Sequence, residues 1–286
     1  MSLPSVQARA GLPVQVIAIA SGKGGVGKTQ VAVNLAWALA ARGRRVMLLD
    51  ASFALPNVDV ALGLAPQHGL QDVLAGRCTL DEALFNGPGG IQVIAGASAA
   101  DAVLEPNRAQ LAGLVRAFDE LAQAPDVLLI DTAPGIGHGV AGLLHAASEV
   151  LLVVADEPAA QSDAMALLRR LNGEYGMTRF RLLASMTLAA QEGLALHQRL
   201  LGLSESLDGV SLDYVGAIPY DESLRHAVQR QRPVGEAFPR SRAAQAFRAL
   251  AEQVDNWPLP AHLRGHLEFF AERLGAAQAA PRAARS

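Results

Sequence analysis

A glycine- and lysine-rich stretch, GKGGVGKT at residues 22–29, leaves this chain few ways to fold. It follows an apolar run at residues 14–20 and precedes an Ala- and Leu-rich stretch without Gly or Pro at residues 29–41. The apolar run predicts a buried strand, and the second stretch predicts a helix that ends at Gly43. A strand, a glycine-rich loop and a helix in this order predict a loop that surrounds phosphate oxygens with backbone N–H groups.

Within this stretch, the spacing G-x-x-x-x-G-K-[ST] fixes the position of each functional residue type. Gly22 and Gly27 let the backbone curl so that successive N–H groups point at phosphate oxygens. Lys28 is expected to contact the β- and γ-phosphates of a nucleotide, and the Thr29 hydroxyl is expected to bind Mg²⁺. The predicted nucleotide-binding residues of this segment are Gly22, Lys23, Gly24, Gly25, Val26, Gly27, Lys28, Thr29 and Gln30.

Apolar runs and helical stretches alternate along the rest of the chain. Further predicted strands lie at residues 45–50, 91–95, 127–131, 150–155, 179–185 and 214–218, and further predicted helices at 107–122, 163–172, 189–201 and 242–254. This alternation predicts an α/β fold of the three-layer P-loop NTPase type, with a mostly parallel central sheet and helices on both faces. The predicted units are a flexible N-terminus at 1–13, an ATPase domain at 14–257, a C-terminal amphipathic helix at 258–275 and a disordered tail at 276–286.

Composition excludes several other classes of protein. A net charge of −3 provides no overall positive field for nucleic acid, so we expect no direct specific DNA binding. The single cysteine, Cys78, excludes a disulfide and a cysteine-based zinc or iron–sulfur site within one chain. No apolar run of about 18 residues occurs, and residues 1–13 do not form a secretory signal. We therefore expect a cytoplasmic protein, either soluble or peripheral on the inner membrane.

Two acidic residues follow predicted strands. Asp131 ends the apolar run at residues 127–130 and begins the string DTAPG, which suits an acid that holds Mg²⁺ through water. Asp50 ends RVMLLD at residues 45–50. We predict that Thr29, Asp50 and Asp131 form the metal site.

A second lysine, Lys23, lies five residues before Lys28 and is unnecessary for an ordinary phosphate-binding loop. The pattern K-G-G-x-G-K-[ST] resembles the deviant Walker A motif of the MinD/ParA family of ATPases. The resemblance implies that the chain binds ATP or ADP with Mg²⁺ and forms a homodimer with ATP. It also implies that Lys23 reaches across the dimer to the partner's phosphates, and that Lys23, Lys28 and Asp50 are catalytic. The string DTAPG resembles the family's switch II.

Several later strings resemble one group within this family, the FleN/FlhG regulators of flagellar number. The strings are GRRVMLLD at 43–50, DEP at 156–158, GMTRF at 176–180, YVGAIPYDE at 214–222, EAFPRS at 236–241 and RGHLEFF at 264–270. The resemblance implies a protein that restrains flagellar synthesis, partly by antagonising a FleQ-type, sigma-54-dependent transcription activator.

The chain departs from the family at two positions. Related ATPases usually carry D-x-D where this chain has Asp50, Ala51 and Ser52, and their second Asp helps to position the attacking water. A serine hydroxyl is a poor base near neutral pH, so we expect slow hydrolysis unless another group, such as Asp59, compensates. The family's adenine contact is usually an Asn, and Ser185 occupies that position. The resemblance implies that the backbone near Pro219 frames the base.

The stretch HLRGHLEFFAERL at residues 262–274 places apolar residues at helical spacing. The residues on this face are Leu263, Leu267, Phe270 and Leu274. Three interpretations remain open for it: packing on its own domain, reversible contact with a membrane, and docking of a partner protein. Six arginines between residues 225 and 248 indicate either a partner or DNA surface or, more simply, a solvated helix face.

Two alternative functions remain beside the ATP-dependent switch. Ser52 is compatible with a regulatory module that binds nucleotide and does not hydrolyse it. The phosphate-binding loop alone is also compatible with a ParA-like ATPase that partitions DNA, which the acidic balance of the chain disfavours.

Overall fold

The computed structural model describes residues 14–52, 56–96, 114, 117–118 and 120–258. The predictions for the N-terminus, the tail, most of the helix at 107–122 and nearly all of the C-terminal helix lie outside these residues. Within the described part, one sheet contains eight strands in the order β3-β4-β2-β5-β1-β6-β7-β8. The strands are β1 (Gln15–Ala20), β2 (Val46–Ala51), β3 (Leu84–Asn86), β4 (Gln92–Ile94), β5 (Val127–Thr132), β6 (Glu149–Ala155), β7 (Arg179–Thr187) and β8 (Ser211–Pro219).

The sheet is parallel except for β3, which pairs antiparallel with β4. Strand β1 lies between β5 and β6, and every residue of these three strands is buried. Strands buried on both faces read as continuous apolar runs, which explains why the sequence predicts them. In the register of β2 against β5, Asp50 lies opposite Asp131. The sheet therefore brings the two predicted acidic residues together.

Helices pack against the sheet and complete the three layers. The described helices are α1 (Lys28–Ala40), α2 (Val58–Leu62), α3 (Leu70–Leu74), α4 (Leu80–Ala83), α5 (His138–Ala146), α6 (Pro158–Tyr175), α7 (Ala190–Ser204), α8 (Glu222–Gln229), α9 (Val234–Ala237) and α10 (Arg242–Asp255). Helix α1 packs on α10, β2 and β5, whereas α7 packs on β7, β8 and α6. Among the described residues, no helix has the length and apolar character needed to cross a membrane.

The predicted α/β fold with a mostly parallel sheet is confirmed, and most of the element boundaries differ by a few residues. The edge strand β8 begins at Ser211, three residues before the predicted start. The prediction relied on a continuous apolar run, and exposed residues alternate with buried ones at the beginning of this strand. Sequence analysis missed β3 and helices α2, α3, α4, α5, α8 and α9. Most of these elements span three to five residues, which is too short to establish a periodic pattern.

Candidate functional site

The glycine-rich loop connects β1 to α1, and two of its glycines have left-handed backbones. Gly25 has φ +83° and Gly27 has φ +85°, a region that side chains other than glycine rarely adopt. Gly27 is the N-cap of α1, and no side chain caps this helix. The N–H groups of the first turn therefore remain available to a ligand, and the helix dipole favours an anion there.

Gly22 is required at the start of the loop because helix α6 passes directly against it. A Cβ atom placed on Gly22 would lie 2.2 Å from the backbone carbonyl carbon of Asp163. The adjacent Ser21 is 1% exposed, and its hydroxyl has no hydrogen-bond partner among the described residues. A rigid loop with an unsatisfied buried hydroxyl and open N–H groups fits a site that binds phosphate.

Lys28 and Thr29 share one carboxylate. The Lys28 Nζ atom lies 2.6 Å from Asp131 Oδ1, and the Thr29 hydroxyl donates to Asp131 Oδ2 at 2.6 Å. The side chains of Lys28 and Asp131 are 7% and 1% exposed. The structure thus brings the predicted phosphate-binding lysine together with two of the three predicted metal-binding residues. A cation, a hydroxyl and a carboxylate in contact fit a nucleotide phosphate and a magnesium ion.

No group of three or more His, Cys, Asp or Glu side chains in the described part of the chain could hold a metal ion by itself. A Mg²⁺ ion in a site of this type takes several of its oxygen ligands from phosphate and water. Thr29 and Asp131, which are in contact, would be part of the protein's contribution, and the role of Asp50 at the metal stays a prediction.

Asp50 is fully buried beside Asp131, and backbone N–H groups surround its carboxylate. Ser52 N donates to Asp50 Oδ1 at 2.9 Å, and Asn57 N and Val58 N donate to Asp50 Oδ2 at 2.9 and 3.0 Å. Burial, followed by the negative charge of Asp131, raises the pKa of Asp50 to about 6, although these three hydrogen bonds lower it. With three of its lone-pair sites engaged, Asp50 anchors the segment after β2 and contributes charge to the site.

The raised pKa of Asp50 predicts how stability depends on pH. Between its unfolded pKa of 3.8 and about 6, the folded state binds more protons at this residue than the unfolded state does. The free energy of unfolding should therefore fall as the pH rises, by about 2 kcal/mol between about pH 4.5 and pH 7.5 for this group alone. Urea unfolding without nucleotide measures this effect. The free energy of unfolding of the wild type minus that of Asp50→Asn should fall by that amount from about pH 4.5 to pH 7.5, because Asn does not titrate. A constant difference, or a rising one, would contradict the assignment.

Ser52 follows β2 and is 7% exposed. Its position is fixed, because its N–H group is held by Asp50, which lies opposite Asp131. Asp59, which is near Ser52 in sequence and was considered both as a compensating acid and as a structural residue, lies in α2, where its carboxylate accepts a hydrogen bond from Val60 N at 2.8 Å.

Lys23 lies at the surface and takes no part in the buried contact between Lys28 and Asp131. Its Nζ atom pairs with Glu157 Oε2 at 2.6 Å, and the two side chains are 37% and 56% exposed. Glu157 is the residue before α6. Lys23 is therefore held loosely beside the loop.

A pocket of about 270 Å³ opens beside the last glycine of the loop. It brings together four of the predicted nucleotide-binding residues, namely Gly27, Gln30, Ser185 and Pro219. Tyr220, which follows Pro219 in the segment expected to frame the base, also lines the pocket. Sequence analysis did not assign its further walls to this site, and these include Met186, Leu224, Arg225, Val228 and Phe247. These residues come from β7, α8 and α10, and no local sequence pattern connects segments so far apart.

Several arginines of the 225–248 segment make contacts within the fold. Arg230 lies over the ring of Phe238, and Arg232 pairs with Glu236 at 2.8 Å. The side chains of Arg242 and Arg248 donate to backbone carbonyl groups. These contacts indicate that the four arginines mainly stabilise the fold. Arg225 differs from them because it lines the pocket.

Comparison with known proteins identifies a family model and relatives that match most of the chain. The family model described as an AAA domain matches residues 14–176. The chain is 56% identical over 262 residues to the antiactivator FleN of Pseudomonas aeruginosa, which covers 92% of this chain and 94% of that protein. It is 29% identical to the flagellum site-determining protein YlxH of Helicobacter pylori, over 82% of this chain and 80% of that protein.

Solved structures with a similar fold include two MinD proteins. The cell division ATPase MinD of Pyrococcus furiosus has a TM-score of 0.71 and 27% identity, over 85% of this chain and 98% of that one. MinD of Pyrococcus horikoshii, solved with Mg-ADP, has a TM-score of 0.70 and 27% identity, over 85% and 96%. The chain belongs to the MinD/ParA family of P-loop ATPases. Its predicted resemblance to the FleN/FlhG group is confirmed.

Proposed function

We propose that this chain is an ATP-dependent dimeric switch that restrains flagellar synthesis by antagonising a FleQ-type, sigma-54-dependent transcription activator. The buried contact of Lys28 and Thr29 with Asp131 beside an uncapped helix is the observation that carries the nucleotide part of this proposal. The identity of 56% with a relative named an antiactivator supports the regulatory part.

ATP and Mg²⁺ fit the site through the residues already in contact there. When bound, they supply a phosphoanhydride bond and a divalent cation. Lys28 would turn from Asp131 to the phosphates and neutralise part of their charge. Thr29 and Asp131 would then hold the metal, and the N–H groups of the loop would hold phosphate oxygens.

Dimerisation would complete the site with a second lysine. Two nucleotide sites that face each other repel through their triphosphates unless cations are supplied between them. Lys23 is suited to this role because its pairing with Glu157 is exposed and therefore weak. Peripheral membrane contact through Leu263, Leu267, Phe270 and Leu274 stays a prediction, since these residues lie outside the described part of the chain.

The proposal predicts that nucleotide controls binding to the activator. The immobilised full chain should retain a purified FleQ-type activator more tightly with ATP and Mg²⁺ than with ADP and Mg²⁺, by about 5- to 150-fold in Kd, which corresponds to a coupling free energy of about 1–3 kcal/mol. A sigma-54-dependent activator of a non-flagellar operon is the control. Equal retention with either nucleotide, or equal retention of the control activator, would refute the proposal.

A second candidate function is a regulatory module that binds ATP without hydrolysing it. Ser52 favours it, because the residue whose N–H group donates to Asp50 carries an uncharged hydroxyl where the resemblance calls for a carboxylate. Such a module would keep the same dimer and the same partner, and it would differ only in turnover.

A further inference from the structure

The pocket beside Gly27, which Ser185 and Pro219 also line, is called the base pocket below. Strand β7 is distorted at Met186, which lies in the wall of this pocket. Ser185 pairs with Ile218 and Thr187 pairs with Pro219, so Met186 is an extra residue in β7 with no partner in β8. Its backbone is left-handed, with φ +59°, which is unusual for any residue other than glycine. A β-bulge of this kind changes the direction of side chains, and strained backbone is concentrated at functional sites.

The bulge has a clear effect on the pocket. Consecutive side chains of a regular strand point to opposite faces, yet Ser185 and Met186 both line this pocket. A Cβ atom on Gly27 would lie 3.4 Å from Ser185 Oγ and 3.5 Å from Met186 Cε. The Ser185 hydroxyl and the terminal methyl group of Met186 therefore lie together next to the last glycine of the loop.

Most other polar groups around the pocket are already engaged. Tyr220 N donates to Thr187 O at 2.8 Å, and Tyr220 O accepts from Arg242 at 3.1 Å. The Asp221 carboxylate accepts from the backbone N–H groups of Ser223 and Ala243. The Ser185 hydroxyl, the Gln30 side-chain amide and the Arg225 guanidinium also line the pocket and take no part in these contacts, so they can bind the edge of a base.

We propose that this pocket accepts guanine as readily as adenine, so that the chain binds purine nucleotides in general rather than ATP alone. Adenine presents an amino donor at the position where guanine presents a carbonyl acceptor. A serine hydroxyl rotates to donate or to accept and so suits both, whereas Arg225 offers only donors, which suit O6 and N7 of guanine and also N7 of adenine. The Met186 thioether and the apolar walls contact the face of either base. This inference rests on the proposed nucleotide-binding function.

Isothermal titration calorimetry of the full chain with Mg²⁺ tests the inference, with ATP, GTP and CTP as ligands. The Kd values for ATP and GTP should lie within about tenfold of each other, because an apolar pocket with one adaptable hydroxyl discriminates weakly. A GTP affinity that is lower by more than that factor would overturn the inference and leave ATP binding intact. If neither ATP nor GTP binds, the proposed function itself fails.

A variant at the bulge tests the same pocket independently. Met186→Gly removes the thioether and suits the left-handed backbone, so it should weaken ATP and GTP alike by about tenfold. The affinity for inorganic tripolyphosphate should not change, because the phosphate-binding loop is untouched. Leu203→Ala, at a residue that is 50% exposed on α7, is the control. Weakening of ATP alone, or an equal loss for tripolyphosphate, would overturn the assignment.

Discussion

Replacing Ser52 by Asp is expected to raise the rate of ATP hydrolysis by about 10²–10⁴-fold, because a positioned carboxylate that orients or deprotonates the attacking water contributes that much. The backbone at Ser52 is fixed by its hydrogen bond to Asp50, which lies opposite Asp131 in the sheet, and Ser52 is 7% exposed. Phosphate release at saturating ATP and Mg²⁺ measures the effect.

The matched control is Ser52→Asn, which has nearly the shape of Asp and carries no charge. It should leave the rate close to that of the wild type, and both variants should bind ATP within a few-fold of the wild type. A wild type that already hydrolyses ATP as fast as Ser52→Asp would contradict the assignment, and Asp59 would be the next residue to test. A Ser52→Asp variant that binds ATP and stays inactive would mean that hydrolysis is limited by another group.

Replacing Lys23 by Ala should abolish ATP-dependent dimerisation and preserve most of the affinity for nucleotide. In a single chain, Lys23 pairs with Glu157 at the surface, and such exposed pairs typically contribute less than about 1 kcal/mol. The substitution should therefore leave the fold intact while removing the cation that we assign to the partner's phosphates. Sedimentation velocity with ATP and Mg²⁺ should give a monomer for this variant.

Arg42→Ala is a matched control for the loss of one exposed cation. Arg42 pairs with Asp255 at 2.7 Å and follows the end of α1 that is remote from the phosphate-binding loop. It should dimerise with ATP as the wild type does. If Lys23→Ala forms a dimer at the same ATP concentration as the wild type, the proposed action of Lys23 across the interface is refuted.

Local spacing was sufficient to predict the phosphate-binding part of the site. The loop at residues 22–29 and the strand that ends near Asp131 are continuous segments, and their chemistry depends on neighbours in the chain. The partnership of Asp50 with Asp131 depends instead on the register of β2 against β5, which sequence periodicity does not determine. The surroundings of Lys23 depend on Glu157, which lies 134 residues away.

The base pocket was the least predictable part of the site. Ser185 and Pro219 were named from a family resemblance, and the pocket that they share with Gly27 arises only when β7 and β8 lie next to α1. Met186 has no sequence signal, because a bulge interrupts the alternation from which a strand is predicted. Arg225 was visible only as one of six arginines, and its position at the pocket distinguishes it from the others.

The molar mass of the full chain in solution, measured by light scattering at one protein concentration, decides whether nucleotide operates this protein as a switch. With ATP and Mg²⁺ the mass should be that of two chains, and with ADP and Mg²⁺ it should be that of one, because ADP lacks the γ-phosphate whose charge we expect Lys23 to neutralise across the interface. Slow hydrolysis at Ser52 should keep the dimer in place during the measurement. The same mass with ATP, with ADP and without nucleotide would contradict the switch.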